Sequence, residues 1–289
     1  MILVFGSINV DLLVPVPHLP APGETVLGGD YAIAPGGKGA NQALAARRVG
    51  AAVTMVGAVG RDAFAEIGLS LLRRDGVGLA LVAASARPTG CATITVDPAG
   101  QNQIAVSSGA NLDIKAAQVP DELLDPGTVL VLQREVPTAE NAVLVARSRA
   151  RGARIVLNLA PAGPIAPVRL EDIDIMIANE GEAATLGSDV GRGLRQALVI
   201  TRGAAGATAL LPDGGRIAVP ALAIEPVDTT GAGDTFAGVL AASLDQGLPL
   251  DRALRRATVA AGFACLALGA QQAMPDLAAI DAAAARLRD

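Results

Sequence analysis

A chain of 289 residues lies near the upper limit of what one hydrophobic core organises, so residues 1–289 read as a single α/β domain with an appendage, not as two independent domains. Apolar residues make up 51% but aromatic residues only 2%, with no Trp, so the core must be built from Ala, Val, Leu and Ile, which suits helices packed on a parallel sheet. The 23 basic and 28 acidic residues give a formal charge of −5 with no Lys/Arg-rich block, which argues against a nucleic-acid surface and for a small-molecule partner.

The chain opens on a short apolar run that ends near Asn9 and Asp11 and has no basic lead. This predicts a first buried strand rather than a signal peptide. Residues 11–34, punctuated by Pro and Gly, break from the main pattern and carry the single histidine, His18, read as a surface or lid residue. Helical spacing follows at 40–49 and an aliphatic strand at 52–56. Residues 89–106 alternate around the turn Asp97-Pro98-Ala99-Gly100 and read, with 11–34, as hairpin material outside the main sheet. Strands at 129–132, 155–157 and 198–200 then alternate with helices at 139–149 and 236–244. The alternation predicts a doubly wound, mostly parallel sheet flanked by helices, with the two inserted segments forming a small β lid over the strand ends. The apolar stretch 257–270 falls short of the ~20 residues of a membrane helix and reads as a core helix, so no membrane partner is expected. Cys91 and Cys265 match no metal-ligand spacing and read as small buried hydrophobes in a reducing cytoplasm.

Two glycine-rich segments carry chemistry. Gly36-Gly37-Lys38-Gly39-Ala40-Asn41-Gln42 sets a flexible loop before a helix, where backbone N–H groups, the Lys38 ammonium and the Asn41 amide would approach a ligand. A tight turn capping a helix accounts for its glycines equally well. Asp228-Thr229-Thr230-Gly231-Ala232-Gly233-Asp234 runs into an apolar helix, so the N–H groups of Gly231, Ala232 and Gly233 would form an anion cradle favoured by the helix dipole. A phosphoryl group in transfer suits that cradle, and Asp234 stands where it would accept a proton from an attacking hydroxyl. The alternative for Asp234 is an N-terminal helix cap. No Walker-type phosphate loop and no Gly-x-Gly-x-x-Gly after the first strand occurs, which sets aside a dinucleotide-dependent oxidoreductase.

Together with Gly6-Ser7-Ile8-Asn9-Val10-Asp11 and Pro22-Gly23-Glu24-Thr25, these segments resemble the signatures of the ribokinase-like, or pfkB-type, sugar kinase family over nearly the whole chain. The resemblance implies phosphoryl transfer from ATP with Mg²⁺ to a primary hydroxyl, with Asp234 as base and the cradle stabilising the transferred group. It implies ribose as acceptor; a nucleoside, fructose or a sugar acid are the alternatives, and a non-catalytic sugar sensor is a more distant one. Asn9, Asp11, Gly37, Lys38, Asn41 and Glu135 match the family's sugar-binding positions. Asn179, Thr201, Gly203 and Gly206 match its nucleotide side, and Glu182 matches a position that organises the hydration shell of Mg²⁺. Asn179 read alone is a helix cap, and Thr201 to Gly206 an ordinary strand-turn-strand. Asp228, Thr230 and the carbonyls of Ala264, Ala267 and Gly269 match a monovalent-cation site, K⁺ in particular. Ala273 stands where the family carries a serine hydroxyl, Arg134 replaces an aliphatic residue beside Glu135, and the segment 187–198 is short for the helix expected there. A homodimer formed through the lid completes the expectation.

Overall fold

The computed structural model describes residues 1–163, 165–186 and 190–284. Part of the short segment at 187–198, residues 187–189, therefore lies outside the described residues. The chain begins with β1 (Ile2–Phe5), β2 (Asn9–Pro15), β3 (Ala32–Gly36), α1 (Lys38–Arg48), β4 (Val53–Val59), α2 (Ala63–Arg74) and β5 (Gly78–Ala84). It continues through β6 (Gly90–Val96), β7 (Asn102–Ser107), β8 (Val129–Leu132), α3 (Thr138–Arg151), β9 (Arg154–Asn158), β10 (Ile175–Asn179), α4 (Glu180–Ala184) and α5 (Val190–Gly193). The last elements are β11 (Ala197–Thr201), β12 (Ala207–Leu210), β13 (Arg216–Val219), α6 (Ala232–Asp245), α7 (Leu250–Ala264) and α8 (Leu277–Ala284).

Nine strands form one sheet in the order β13-β12-β11-β10-β9-β8-β1-β4-β5, parallel from β11 to β5 and closed at one edge by the antiparallel β12 and β13. The apolar runs of β1 and β8 do not alternate with polar residues because both faces are covered. Ile2 and Val4 join one buried cluster with Leu44 of α1, Phe236 and Leu240 of α6 and Leu254 of α7. Leu3 and Phe5 join the other, with Leu144 and Val145 of α3. From β1 the chain first winds outward to β4 and β5, then returns to β8 on the other side of β1 and winds the opposite way. The reversal opens a crevice above the carboxyl ends of β1 and β8, the place where open sheets of this kind bind ligands.

The lid segments form a separate four-stranded sheet, β3-β2-β6-β7. Its β6–β7 hairpin turns at Asp97, whose Oδ1 accepts from the N–H of Ala99 and Gln101. The first lid segment is less compact than a hairpin: β2 already begins at Asn9, and a loop over 16–31 separates it from β3. One further boundary differs from expectation. The core helix at 257–270 starts earlier, at Leu250, and stops at Ala264, because the glycine-containing turns from Cys265 onward carry the chain back toward α6. Among the described residues no helix is long and apolar enough to cross a membrane.

Candidate active site

The carboxyl end of β1 delivers Gly6 and Ser7, and β2 then places Asn9 and Asp11 two residues apart, on one face of the lid sheet. Asp11 lies over Gly36 at the end of β3, next to Gly37, which precedes α1. Glu135, just past β8, meets this corner: its Oε2 accepts from Ser7 Oγ at 2.6 Å and from the backbone N–H of Lys38 at 3.1 Å. A cavity of about 380 Å³ opens beside it, lined by Asn9, Asn111, Arg134 and Glu135 and bordered by Val106 of β7. Burial pushes Asp11 up to about 6, reinforced by the Glu135 and Asp234 carboxylates and opposed by Lys38. Lys38 is shifted upward as well, which for an amine favours the charged form. The Asp234 carboxylate raises its pKa against the cost of burial, and Glu135, Glu182 and Asp11 add to the rise, so an ammonium ion sits in a field of acids.

Asp234 stands in the first turn of α6, but it caps nothing. The cap position is Gly231, left-handed at φ 75°, with no side-chain cap bond. The Asp234 side chain instead turns to α1, where Oδ2 accepts from Asn41 Nδ2 and Oδ1 from Gln42 Nε2, both at 2.9 Å. This meeting depends on Gly238, one turn further along the same face of α6. A Cβ there would lie 2.3 Å from the carbonyl oxygen of Gln42, so only glycine lets the two helices approach closely enough for the carboxylate to reach both amides. Asp234 is 6% exposed and Asn41 5%. The cradle is narrower than its sequence implies, since the N–H of Ala232 already donates to Thr229 O at 3.3 Å, and Gly231 and Gly233 supply the freer amides of the turn.

Asn179 ends β10 and Thr201 ends β11, paired in register. They stand at the third and fourth strands from β1, about 14 and 19 Å away at ~4.8 Å per strand. Asn179 does cap α4: its Oδ1 accepts from Glu182 N at 2.7 Å, and Glu182 Oε2 accepts from Asn179 N at 2.8 Å. Gly203 and Gly206 bracket the turn between β11 and β12. Just ahead of α6, Asp228 Oδ1 accepts from Thr230 N and Oγ1, and Oδ2 accepts from Gly269 N at 2.9 Å. Burial works against ionisation of Asp228, but the bonds from Thr230 and Gly269 outweigh it and hold the carboxyl below its ordinary range. Ala264 closes α7 next to this loop, and Ala267 and Gly269 follow in the turns beyond it. No cluster of three or more His, Cys, Asp or Glu suited to a metal occurs among the described residues.

Residues 1–277 match the pfkB family of carbohydrate kinases. The chain belongs to that family. It is 35% identical over 281 residues to the ribokinase of Bacillus subtilis, covering 95% of this chain and 96% of that one. To the ribokinase of Lactococcus lactis it is 34% identical over 288 residues, covering 96% and 95%. The structure of Arabidopsis thaliana ribokinase complexed with ribose and ATP is similar at a TM-score of 0.88 and 28% identity, covering 98% of each chain.

Several further residues hold this kinase's site together: Ser7 and Gln42 lie inside the segments already singled out but carry no assigned role there, whereas Asn111 and Gln271 lie outside them. Ser7 fixes Glu135, and Gly39 N in turn donates to Ser7 Oγ. Asn111, fully buried, donates to Asn9 Oδ1 at 2.7 Å and accepts from Ile8 N at 2.9 Å, locking the entry to β2. Gln42 and Gln271 reach Asp234 directly and through Asn41. The polar character of Gln42 and Gln271 within apolar surroundings was the available signal, because buried amides demand partners. His18 lies exposed on the lid loop, where its ring pairs with Glu24 at 2.8 Å. Cys265 is buried as expected, whereas Cys91 in β6 is only half-buried. The Arg134 guanidinium turns to Pro161 O at 2.6 Å while still lining the cavity.

Proposed function

We propose that this kinase transfers the γ-phosphoryl group of ATP to the primary hydroxyl of D-ribose. The observation that carries the reading is Asp234, gripped by the Asn41 and Gln42 amides at the head of α6 and raising the pKa of Lys38. In this account Asn9, Asp11, Gly37, Lys38, Asn41 and Glu135 bind the sugar hydroxyls. Asp234 takes the proton from the attacking oxygen, a new P–O bond forms to that oxygen, and the bond to ADP breaks in line. The amides of Gly231 and Gly233, with Ala232 behind them, face the charge on the transferred group. Asn179, Thr201, Gly203 and Gly206 hold the nucleotide. Similarity to ribokinases and to a ribose and ATP complex supports both substrates.

Magnesium would enter as the Mg·ATP complex and would supply charge neutralisation across the phosphates. Glu182 suits an indirect contact, since its Oε2 is bound to Asn179 N and leaves the other oxygen for a metal-bound water. The Asp228 loop suits a monovalent cation such as K⁺. Its ionised carboxylate and the carbonyls of Thr230, Ala264, Ala267 and Gly269, near the negative end of α7, are a hard-oxygen donor set, short of one hydroxyl at Ala273. The lid would close over the sugar to exclude water. Leu13, Ile33, Ile104 and Val106 expose apolar surface on it, and its edge strands support pairing with a second copy. A cytoplasmic setting fits the free cysteines.

The test is ADP release with Mg·ATP against ribose, 2-deoxyribose, fructose, adenosine, inosine and 2-keto-3-deoxygluconate, with and without K⁺. Ribose is expected to give the highest kcat/KM. The sugar acid is the informative competitor, because the guanidinium of Arg134 lines the same cavity as Asn9 and Glu135. Preference for it would overturn ribose and leave the chemistry in place.

A further inference from the structure

We infer that Gln271 is a positioning residue for the phosphoryl transfer, fixing which end of the Asn41 amide faces Asp234. The inference rests on the reading of Asp234 as the base. An ionised carboxylate only accepts hydrogen bonds, so Asn41 serves it only when its NH₂ points that way. That is the orientation present, with Asn41 Nδ2 2.9 Å from Asp234 Oδ2. The Asn41 oxygen must then face the opposite direction, and there Gln271 Nε2 donates to it at 3.0 Å. The polarity of the chain Gln271 to Asn41 to Asp234 is thus set at the Gln271 end as well as at the carboxylate.

Gln271 is itself held rigidly. Its backbone carbonyl accepts from Arg48 Nη1 at 2.6 Å, and Arg48 pairs with Asp75 at 2.9 Å. The two residues before it brace the same region. Gly269 N donates to Asp228, and Ala270 packs so tightly on Gly231 that a Cβ added there would lie 2.7 Å from the Ala270 Cβ. Three consecutive residues therefore touch the Asp228 loop, the head of α6 and the amide that holds Asp234.

The energetics favour a positioning role over a packing role. Gln271 is 0% exposed, and its Oε1 has no partner among the described residues. A buried, unsatisfied amide oxygen costs about 1–3 kcal/mol; an apolar side chain of similar volume would remove that cost but leave the Asn41 oxygen without its donor, so the two roughly offset and the glutamine brings no net packing advantage. What the glutamine adds is a donor aimed at Asn41.

The test compares Gln271→Met, Gln271→Asn and Gln271→Glu in the full chain, measuring kcat, KM for ribose and ATP, the pH profile of kcat, and urea unfolding, with Asp234→Asn alongside. Gln271→Met keeps the volume and removes the donor. It is expected to unfold about as easily as the parent while kcat falls about 10-fold, KM for ATP holds, and KM for ribose, to which Asn41 also contributes, rises less than kcat falls. Gln271→Asn keeps the amide one methylene short of Asn41 and is expected to lose kcat to the same degree. In Gln271→Glu the ionised carboxyl attracts the Asn41 NH₂ and turns its oxygen toward Asp234. The loss of kcat is expected to deepen at neutral pH and to ease at lower pH, where the introduced carboxyl, once protonated, donates to Asn41. Lys38, Asp11, Glu135 and Glu182 share the field around Asp234, and all are unchanged in these variants. Parental kcat and pH profile in all three variants, with Asp234→Asn inactive, would overturn the inference alone. A loss of activity that only tracks the unfolded fraction, with an unchanged pH profile, would also overturn it. Parental turnover in Asp234→Asn would instead remove the base assignment on which it rests.

Discussion

Ser7 Oγ donates to Glu135 Oε2 at 2.6 Å, joining residues 128 positions apart and fixing the carboxylate at the mouth of β8 against the start of α1. A hydrogen bond to an ionised group contributes about 1.5–3 kcal/mol. Ser7→Ala is therefore expected to raise KM for the sugar about 10-fold or more, with kcat changed far less, because the loss falls on binding geometry and not on the proton transfer. Steady-state kinetics with saturating Mg·ATP check this.

The contact between α1 and α6 predicts an outcome opposite to helix propensity. Alanine is favoured over glycine inside a helix by about 1 kcal/mol. At Gly238 the added methyl would lie 2.3 Å from a backbone carbonyl, and overpacking of that kind costs about 1–3 kcal/mol. Gly238→Ala is expected to lower unfolding stability and to reduce kcat as Asp234 is pulled away from Asn41 and Gln42. Urea denaturation and turnover are measured on the same preparation.

Asp11 makes stability depend on pH. Its folded pKa is raised from 3.8 to about 6, so its stabilising contribution is complete below pH 3.8 and is lost as pH rises through 6. The shift corresponds to at most about 3 kcal/mol. Asp11→Asn is therefore expected to be more stable than the parent above pH 6 and to lose that advantage toward pH 4, while its KM for the sugar rises. Unfolding midpoints across pH 4–8 test the sign.

At Asn179 a capping role and a nucleotide role make separable predictions. Loss of the cap costs about 1 kcal/mol. Asn179→Asp, which keeps a capping oxygen, is expected to retain most of the stability yet raise KM for Mg·ATP several-fold by adding negative charge beside the phosphates. Equal KM values in the two proteins would leave Asn179 a cap only.

How much of this was legible in the sequence follows from how local each signal is. β1 and β8 are buried on both faces and read directly as unbroken apolar runs. β5 did not, because Gly78–Ala84 is half-exposed at the sheet edge and its Ala and Leu fit a helix as well as a strand. The second lid segment was legible from its turn residues, whereas the join between β2 and β6, a parallel pair, comes from distant segments with no local mark. In the site, Lys38, Asn41 and Asp234 lie in glycine-rich motifs that announce themselves. Asn111 and Gln271 do not, since they meet Asn9 and Asn41 across 102 and 230 positions and their roles arise only once the sheet is wound.

The central claim is that Asp234 removes the proton from the acceptor hydroxyl. The measurement is ADP release by Asp234→Asn with saturating ribose and Mg·ATP, beside circular dichroism and urea unfolding. The amide keeps the shape of the side chain and removes the base, so kcat is expected to fall by about 10²–10⁴-fold in a folded protein. Turnover at the parental rate in that variant would contradict the account.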